Sequence, residues 1–165
     1  MDKKMLVVYY SWSNGNTEKI AEQLADACGA DICRIETIEP YPSDYDETVE
    51  QVHREVDASY EPAIEALEFD PSGYDVIAVG TPTWWYTMAP AVKTFMGSVD
   101  WAGKTIVAFA TNGGWEGSTL DDIESAVAGA TAGPSLAIQF DSTGGSRQIT
   151  PQQQVDNWIE RVQTL

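Results

Sequence analysis

Apolar positions along this chain fall into two alternating rhythms. Near-continuous apolar runs predict strands at Met5–Tyr10, Asp31–Glu36, Val76–Thr81, Thr105–Thr111 and Ser135–Phe140. Three of these are apolar almost throughout, as parallel strands covered on both faces are. Between them the spacing changes to three and four residues. A first helix is predicted from Thr17 to Cys28, with Ile20, Leu24 and Ala27 on one face, and a second carries the stripe Tyr45, Val49, Val52 and Val56. Pro90 opens a third helix bearing Val92, Phe95 and Met96, and Ser118 is placed to cap a fourth, with Asp121 at the capping-box position. Thr150-Pro151 reads as a cap and first-turn pair for the last helix, whose Val155, Trp158, Ile159 and Val162 face inward. Strands interleaved with helices in this way predict an α/β fold, an open doubly wound parallel sheet of five strands with helices on both faces. No repeat, low-complexity tract or linker divides the chain, so residues 1–165 read as one domain.

In such sheets ligands bind beyond the carboxyl ends of the strands, and three of those ends carry unusual residues. The first strand runs into Ser11, Trp12, Ser13, Asn14, Gly15, Asn16 and Thr17, a hydroxyl-, amide- and glycine-rich turn at a helix start. Free main-chain N–H groups and the positive end of the helix dipole make such a turn an anion site. It contains no Lys or Arg, so a phosphate here would rest on neutral donors. The same composition also serves an ordinary capped turn. After the third strand comes Gly80-Thr81-Pro82-Thr83-Trp84-Trp85-Tyr86, and after the fourth Thr111-Asn112-Gly113-Gly114-Trp115-Glu116-Gly117. Four of the six tryptophans sit in these three turns. Aromatic side chains among glycines, with few charges, suit a flat polycyclic ligand with a phosphate tail, although Trp84, Trp85 and Tyr86 would also serve to pack the helix that follows.

Taken in order, Tyr-Ser-x-Ser-Asn-Gly-Asn-Thr, then Gly-Thr-Pro-x-Trp-Trp-Tyr-x-Met-Ala-Pro, then Thr-Asn-Gly-Gly, the chain resembles the flavodoxin family over essentially its whole length. That resemblance implies a sheet order of 2-1-3-4-5 and non-covalently bound FMN. It implies a phosphate held by Ser11, Ser13, Asn14, Gly15, Asn16 and Thr17, with Trp12 beside them. The ring would lie between Pro82, Thr83, Trp84, Trp85 and Tyr86 on one side and Thr111, Asn112, Gly113, Gly114, Trp115 and Gly117 on the other. The fifth strand reads as uninterrupted, as in the short-chain type. Asn14 lengthens the phosphate turn by one residue, and the third loop lacks the acidic-aromatic turn common in the family. The function implied is electron transfer between protein partners; the alternative is an NAD(P)H-dependent oxidoreductase of the quinone-reductase type.

Charge sharpens this picture. With 26 acids against 9 bases the net charge is −17, which repels nucleic acid and anionic lipid and favours basic redox partners. In a low-dielectric pocket the same field disfavours the anion of a fully reduced flavin. Each ~1.4 kcal/mol of that penalty lowers a one-electron potential by ~59 mV, so low-potential single-electron donation is expected. No stretch nears the ~20 apolar residues of a membrane helix, and the run from Met5 is too short for a signal peptide; a cytoplasmic monomer is expected. Other chemistry finds little support. Cys28 and Arg34 have the spacing of a phosphatase loop but fall on a helix end and a strand. Gly103-Lys104-Thr105 lacks the upstream glycine of a phosphate-binding loop. His53, the only histidine, reads as a solvated helix residue rather than a base.

Overall fold

The structure, a computed structural model, describes residues 3–12, 14–143 and 145–165. Seven strands are formed among them: β1 (Met5–Tyr9), β2 (Asp31–Arg34), β3 (Val76–Trp84), β4 (Thr87–Met88), β5 (Thr105–Asn112), β6 (Thr131–Ala132) and β7 (Leu136–Gln139). The helices are α1 (Asn16–Cys28), α2 (Tyr45–Asp57), α3 (Pro90–Ser98), α4 (Thr119–Ser125) and α5 (Gln152–Gln163). Strands β2, β1, β3 and β5 lie side by side in parallel, and β6 and β7 together fill the fifth place. This is the expected order 2-1-3-4-5.

The fifth strand is not uninterrupted. Ile106 pairs with Ala132 and Phe109 with Leu136, so three steps along β5 span four along its neighbour. The extra residue sits at Gly133-Pro134-Ser135. Gly133 still donates its N–H to the Ile106 carbonyl at 2.8 Å, but Pro134 has no N–H to continue the ladder, and the strand bulges there.

Two apolar layers cover the sheet. Strand alternation sends Met5, Val7, Tyr9, Ala78, Val107 and Phe109 to one face, where Ile20, Ala21, Leu24 and Ala25 of α1 and Val155, Trp158, Ile159 and Val162 of α5 cover them. It sends Leu6, Val8, Tyr10, Ile77, Val79 and Ala108 to the other, under Val92, Phe95 and Met96 of α3 and Ile123 of α4. In α1 the buried face thus runs through Ala21 and Ala25, and Ala27 faces solvent. The predicted stripe of α2 is only partly buried: Val52 is enclosed, Val49 and Val56 are half-buried, and Tyr45 is exposed. No helix among the described residues is long and apolar enough to cross a membrane.

Two predicted caps are used differently. Ser118 precedes α4, but its hydroxyl donates to Asp122 Oδ2 at 2.7 Å and does not cap the helix. Thr150 accepts the Gln139 N–H at 2.7 Å and so ties the end of β7, while α5 starts after Pro151.

Candidate functional site

At the carboxyl end of β1 the chain turns through Gly15, whose φ of +72° is left-handed, into α1. No atom lies within 4 Å of where a Cβ would stand on Gly15, so backbone conformation alone calls for glycine there. Glycine offers the helix no side-chain cap, and the first N–H groups of a helix have no acceptor inside it. Glu18 donates its N–H to Ser11 Oγ at 3.4 Å and Lys19 to the Gly15 carbonyl at 3.0 Å. The N–H groups of Asn16 and Thr17 meet no acceptor among the described residues. Among the described residues the turn therefore presents main-chain donors at a dipole end, the requirement of an anion site.

Its side chains are more committed than the sequence suggests. Thr17 and Thr111, both buried, share a hydroxyl–hydroxyl hydrogen bond of 2.8 Å; one O–H is consumed and the other stays available. Asn16 spends an amide N–H on the Gly145 carbonyl at 3.1 Å. Ser13 lies outside the described residues. Ser11 is buried, and its carbonyl accepts from the Arg34 guanidinium. Arg34 reaches this place because β1 and β2 pair Tyr9 with Arg34, and it also bridges Glu18 at 2.9 Å and Glu36 at 3.0 Å. The turn itself carries no cation, as expected, but a cation braces it from behind. Its positive charge is matched by two carboxylates. Burial, then the hydrogen bond to Glu18, pushes the Tyr9 hydroxyl up to about 12.

The second segment is a hairpin rather than a loop. Strand β3 continues through Pro82 to Trp84 and pairs antiparallel with β4, Thr83 opposite Met88 and Trp84 opposite Thr87. Trp85 and Tyr86 make the two-residue turn at φ +51° and +66°. Such turns normally hold Asn-Gly, because each side chain forced into the left-handed region costs about 1–2 kcal/mol. Strong tethers hold this one. Ser118 donates its N–H to the Tyr86 carbonyl at 2.9 Å, and the hydroxyls of Thr87 and Ser118 both donate to Asp122 Oδ2. Gly117, at φ +55°, lets the hairpin approach: a Cβ there would lie 2.2 Å from the Tyr86 carbonyl oxygen. On the other side, Trp85 Nε1 donates to the Val49 carbonyl at 3.2 Å, and the Trp85 indole stacks on His53 at 4.0 Å and 18°. Trp84 turns inward and meets Tyr10, Trp12 and Tyr41 edge-on at 5.4–6.0 Å.

Together these parts enclose a cleft of about 220 Å³ whose walls include Trp12, Asn16 and Thr17 from the first turn, Pro82, Thr83 and Trp84 from β3, and Thr111, Asn112 and Gly113 from β5. It opens into a slot of about 290 Å³ between Trp85 and Tyr86 on one side and Trp115 on the other. Trp115 is 76% exposed, Tyr86 58% and Trp85 40%. Large apolar rings left in water at the rim of a cleft mark a binding surface. Asn112 closes a short turn by accepting the Gly114 N–H at 2.9 Å. Gly117 stands behind the hairpin rather than in the cleft, and Ser11, Asn14, Gly15 and Gly114 do not line the cleft either, so the structure does not bring these predicted residues to its walls.

The sequence reading did not single out Tyr45 and the segment after β7 as site residues. Tyr45 lies against Trp12 at 5.9 Å with the rings tilted by 31°, and Phe140, Asp141, Ser142 and Gly145 form a further wall of the cleft. The Thr143 N–H and hydroxyl, both donating to Asp141 Oδ1, hold that carboxyl below its usual range. Asp141 is thus an anion at neutral pH.

The flavodoxin sequence profile, described as Flavodoxin, matches residues 4–162. The chain belongs to the flavodoxin family. Solved structures agree. A candidate flavoprotein from Bacteroides eggerthii DSM 20697 is 26% identical, covering 99% of each chain at a TM-score of 0.75. A second, from Bacteroides uniformis ATCC 8492, is 24% identical over 97% of this chain and 99% of the other, at 0.78. A flavoprotein from Lactobacillus acidophilus NCFM, solved in complex with FMN, is 23% identical over 94% and 98%, at 0.72. None of the curated proteins matches the chain. In a flavodoxin sheet the switch point lies between β1 and β3; here the turn after β1 and the hairpin after β3 are two walls of the cleft.

Proposed function

We propose that this protein binds FMN in the cleft and carries single electrons at low potential between protein partners. The observation that supports this best is the convergence of three strand ends on one cleft, with main-chain donors that meet no acceptor among the described residues at one end and exposed aromatic rings at the other. The turn from Ser11 to Thr17 would hold the phosphate, through the Asn16 and Thr17 N–H groups and the spare O–H of the Thr17–Thr111 pair. The hairpin Pro82–Tyr86 and the segment Thr111–Trp115 would hold the ring between them. When bound, FMN supplies the redox chemistry. The chain's own contribution is to bind, orient and shield. Arg34 steadies the Ser11 carbonyl without lending net charge to the site, because Glu18 and Glu36 neutralise it. Asp141 and the net charge of −17 set a negative field there. That field lowers the potential and steers basic reductases and acceptors to the exposed rim, with rates that fall as salt rises.

A second reading, an NAD(P)H-dependent FMN oxidoreductase, draws on the openness of the slot below Trp115, which leaves room for a second planar molecule. Purified protein should release FMN on denaturation and, loaded, should oxidise NADH or NADPH only when a separate reductase is added. Sustained NAD(P)H oxidation by the protein alone would replace the carrier with the enzyme.

A further inference from the structure

The turn Trp85-Tyr86 holds two bulky residues in the left-handed region, and it is tethered from two sides that differ in kind. From α4 the tethers are main-chain and hydroxyl hydrogen bonds to Tyr86 and Thr87, which fix the backbone. From α2 the tethers act on the Trp85 side chain. One is the hydrogen bond from its Nε1 to the Val49 carbonyl; the other is the face of His53. That imidazole is itself restrained, because its Nε2 lies 3.3 Å from Asp57 Oδ2 one helical turn on. His53 and Val49 are four residues apart on α2, so they occupy one face of it. The indole thus lies across α2, anchored at its nitrogen and covered over its plane.

We propose that His53 is a positioning residue for the ring-binding slot: the flat face of its imidazole clamps Trp85 against α2. The clamp keeps the left-handed turn in the form that leaves the slot toward Trp115 open. Residue 53 touches neither the cleft nor the slot; it acts through Trp85. This inference rests on the FMN reading for its consequence, though not for its geometry. Without the imidazole the indole keeps a single hydrogen bond at its edge and is free to swing into the slot that the ring needs.

The test uses His53→Ala and His53→Phe in the full chain. Phe keeps a flat ring to stack and gives up the Asp57 contact. In apo protein, solvent exchange of the Trp85 indole N–H, followed by NMR, should quicken about tenfold or more in the Ala variant and stay within about twofold of wild type in the Phe variant. FMN affinity, by fluorescence titration, should fall threefold or more with Ala and recover with Phe. Unchanged indole exchange in His53→Ala overturns the proposal. So does faster exchange with unchanged FMN affinity, because the clamp would then not shape the slot. If His53→Ala does not fold, His53→Gln is read by the same criteria. If wild-type protein ignores FMN, the cofactor reading fails, and the clamp is judged on indole exchange alone.

Discussion

Helices α1 and α2 are each thirteen residues long and both border the cleft, yet α1 buries Thr17, Ile20, Ala21, Leu24 and Ala25 whereas α2 buries only Thr48 and Val52. Helix α1 lies on the sheet and packs beside α5 on the same face. Helix α2 packs chiefly along α3. Its further attachments include aromatic ones: Tyr45 on Trp12, His53 on Trp85, and the Tyr41 hydroxyl donating to Glu55. The two ends of the cleft are therefore built on different foundations. The phosphate end is fixed by the hydrophobic core, at about 25 cal/mol per Å² of apolar surface buried. The ring end is fixed by a tethered hairpin and a lightly held helix. A site made this way is rigid where the ligand is charged and small, and adjustable where it is large and flat. Segments with few buried contacts open most readily.

The sharpest way to break this contrast is at Gly117. A Cβ there meets the Tyr86 carbonyl at 2.2 Å, so Gly117→Ala should cost about 3 kcal/mol, combining overpacking with a disfavoured φ. Denaturant melts should show that loss and FMN affinity should fall tenfold or more, while α1 amides stay protected in hydrogen exchange. Next comes the phosphate end. Thr17→Val removes a buried 2.8 Å hydroxyl bond and should cost about 1–2 kcal/mol of stability. It should weaken FMN more than riboflavin, which lacks the phosphate. A smaller effect is expected from Trp85→Ala, in which native-state hydrogen exchange should quicken along α2 and stay unchanged along α1. Equal loosening of the two helices would erase the distinction between them. The smallest effect concerns alkali. The Tyr9 hydroxyl at the phosphate end is held up to about 12, so its neutral form is favoured in the folded state. The stability it contributes is complete below the unfolded tyrosine value near 10 and is lost as pH rises toward 12. Tyrosinate absorbance and circular dichroism recorded together should show Tyr9→Phe protein less sensitive across that window.

The same division explains what could be read from the chain. The strands and the α3 and α5 faces were legible because periodic burial wrote them into the sequence, as was the α1 face apart from Ala27, and the start of α1 was legible because its left-handed turn calls for Gly15. The hairpin was not. Pro82 normally argues against a continuing strand, and Trp-Tyr is a poor sequence for a two-residue turn, so the tethers from Ser118 and Asp122 override local preference. Arg34 was invisible as a brace because only the pairing of β1 with β2 brings it behind Ser11. Asp141 and Gly145 enter the site through the end of β7, where Phe140-Asp141-Ser142-Thr143-Gly144-Gly145 carries an aromatic, hydroxyl- and glycine-rich signal like those of the other turns; it was legible in principle and was not taken up. The break at Gly133-Pro134 was legible in principle, since proline interrupts a ladder.

The central claim is that one cleft grips a phosphate at its core-built end and a flat ring at its tethered end. It is tested most directly by titrating apo protein with FMN and, separately, with riboflavin, following flavin fluorescence. One-to-one binding of FMN at micromolar concentration or tighter, with riboflavin at least tenfold weaker, is the predicted result. Equal affinity for the two, or no binding of either, would contradict it.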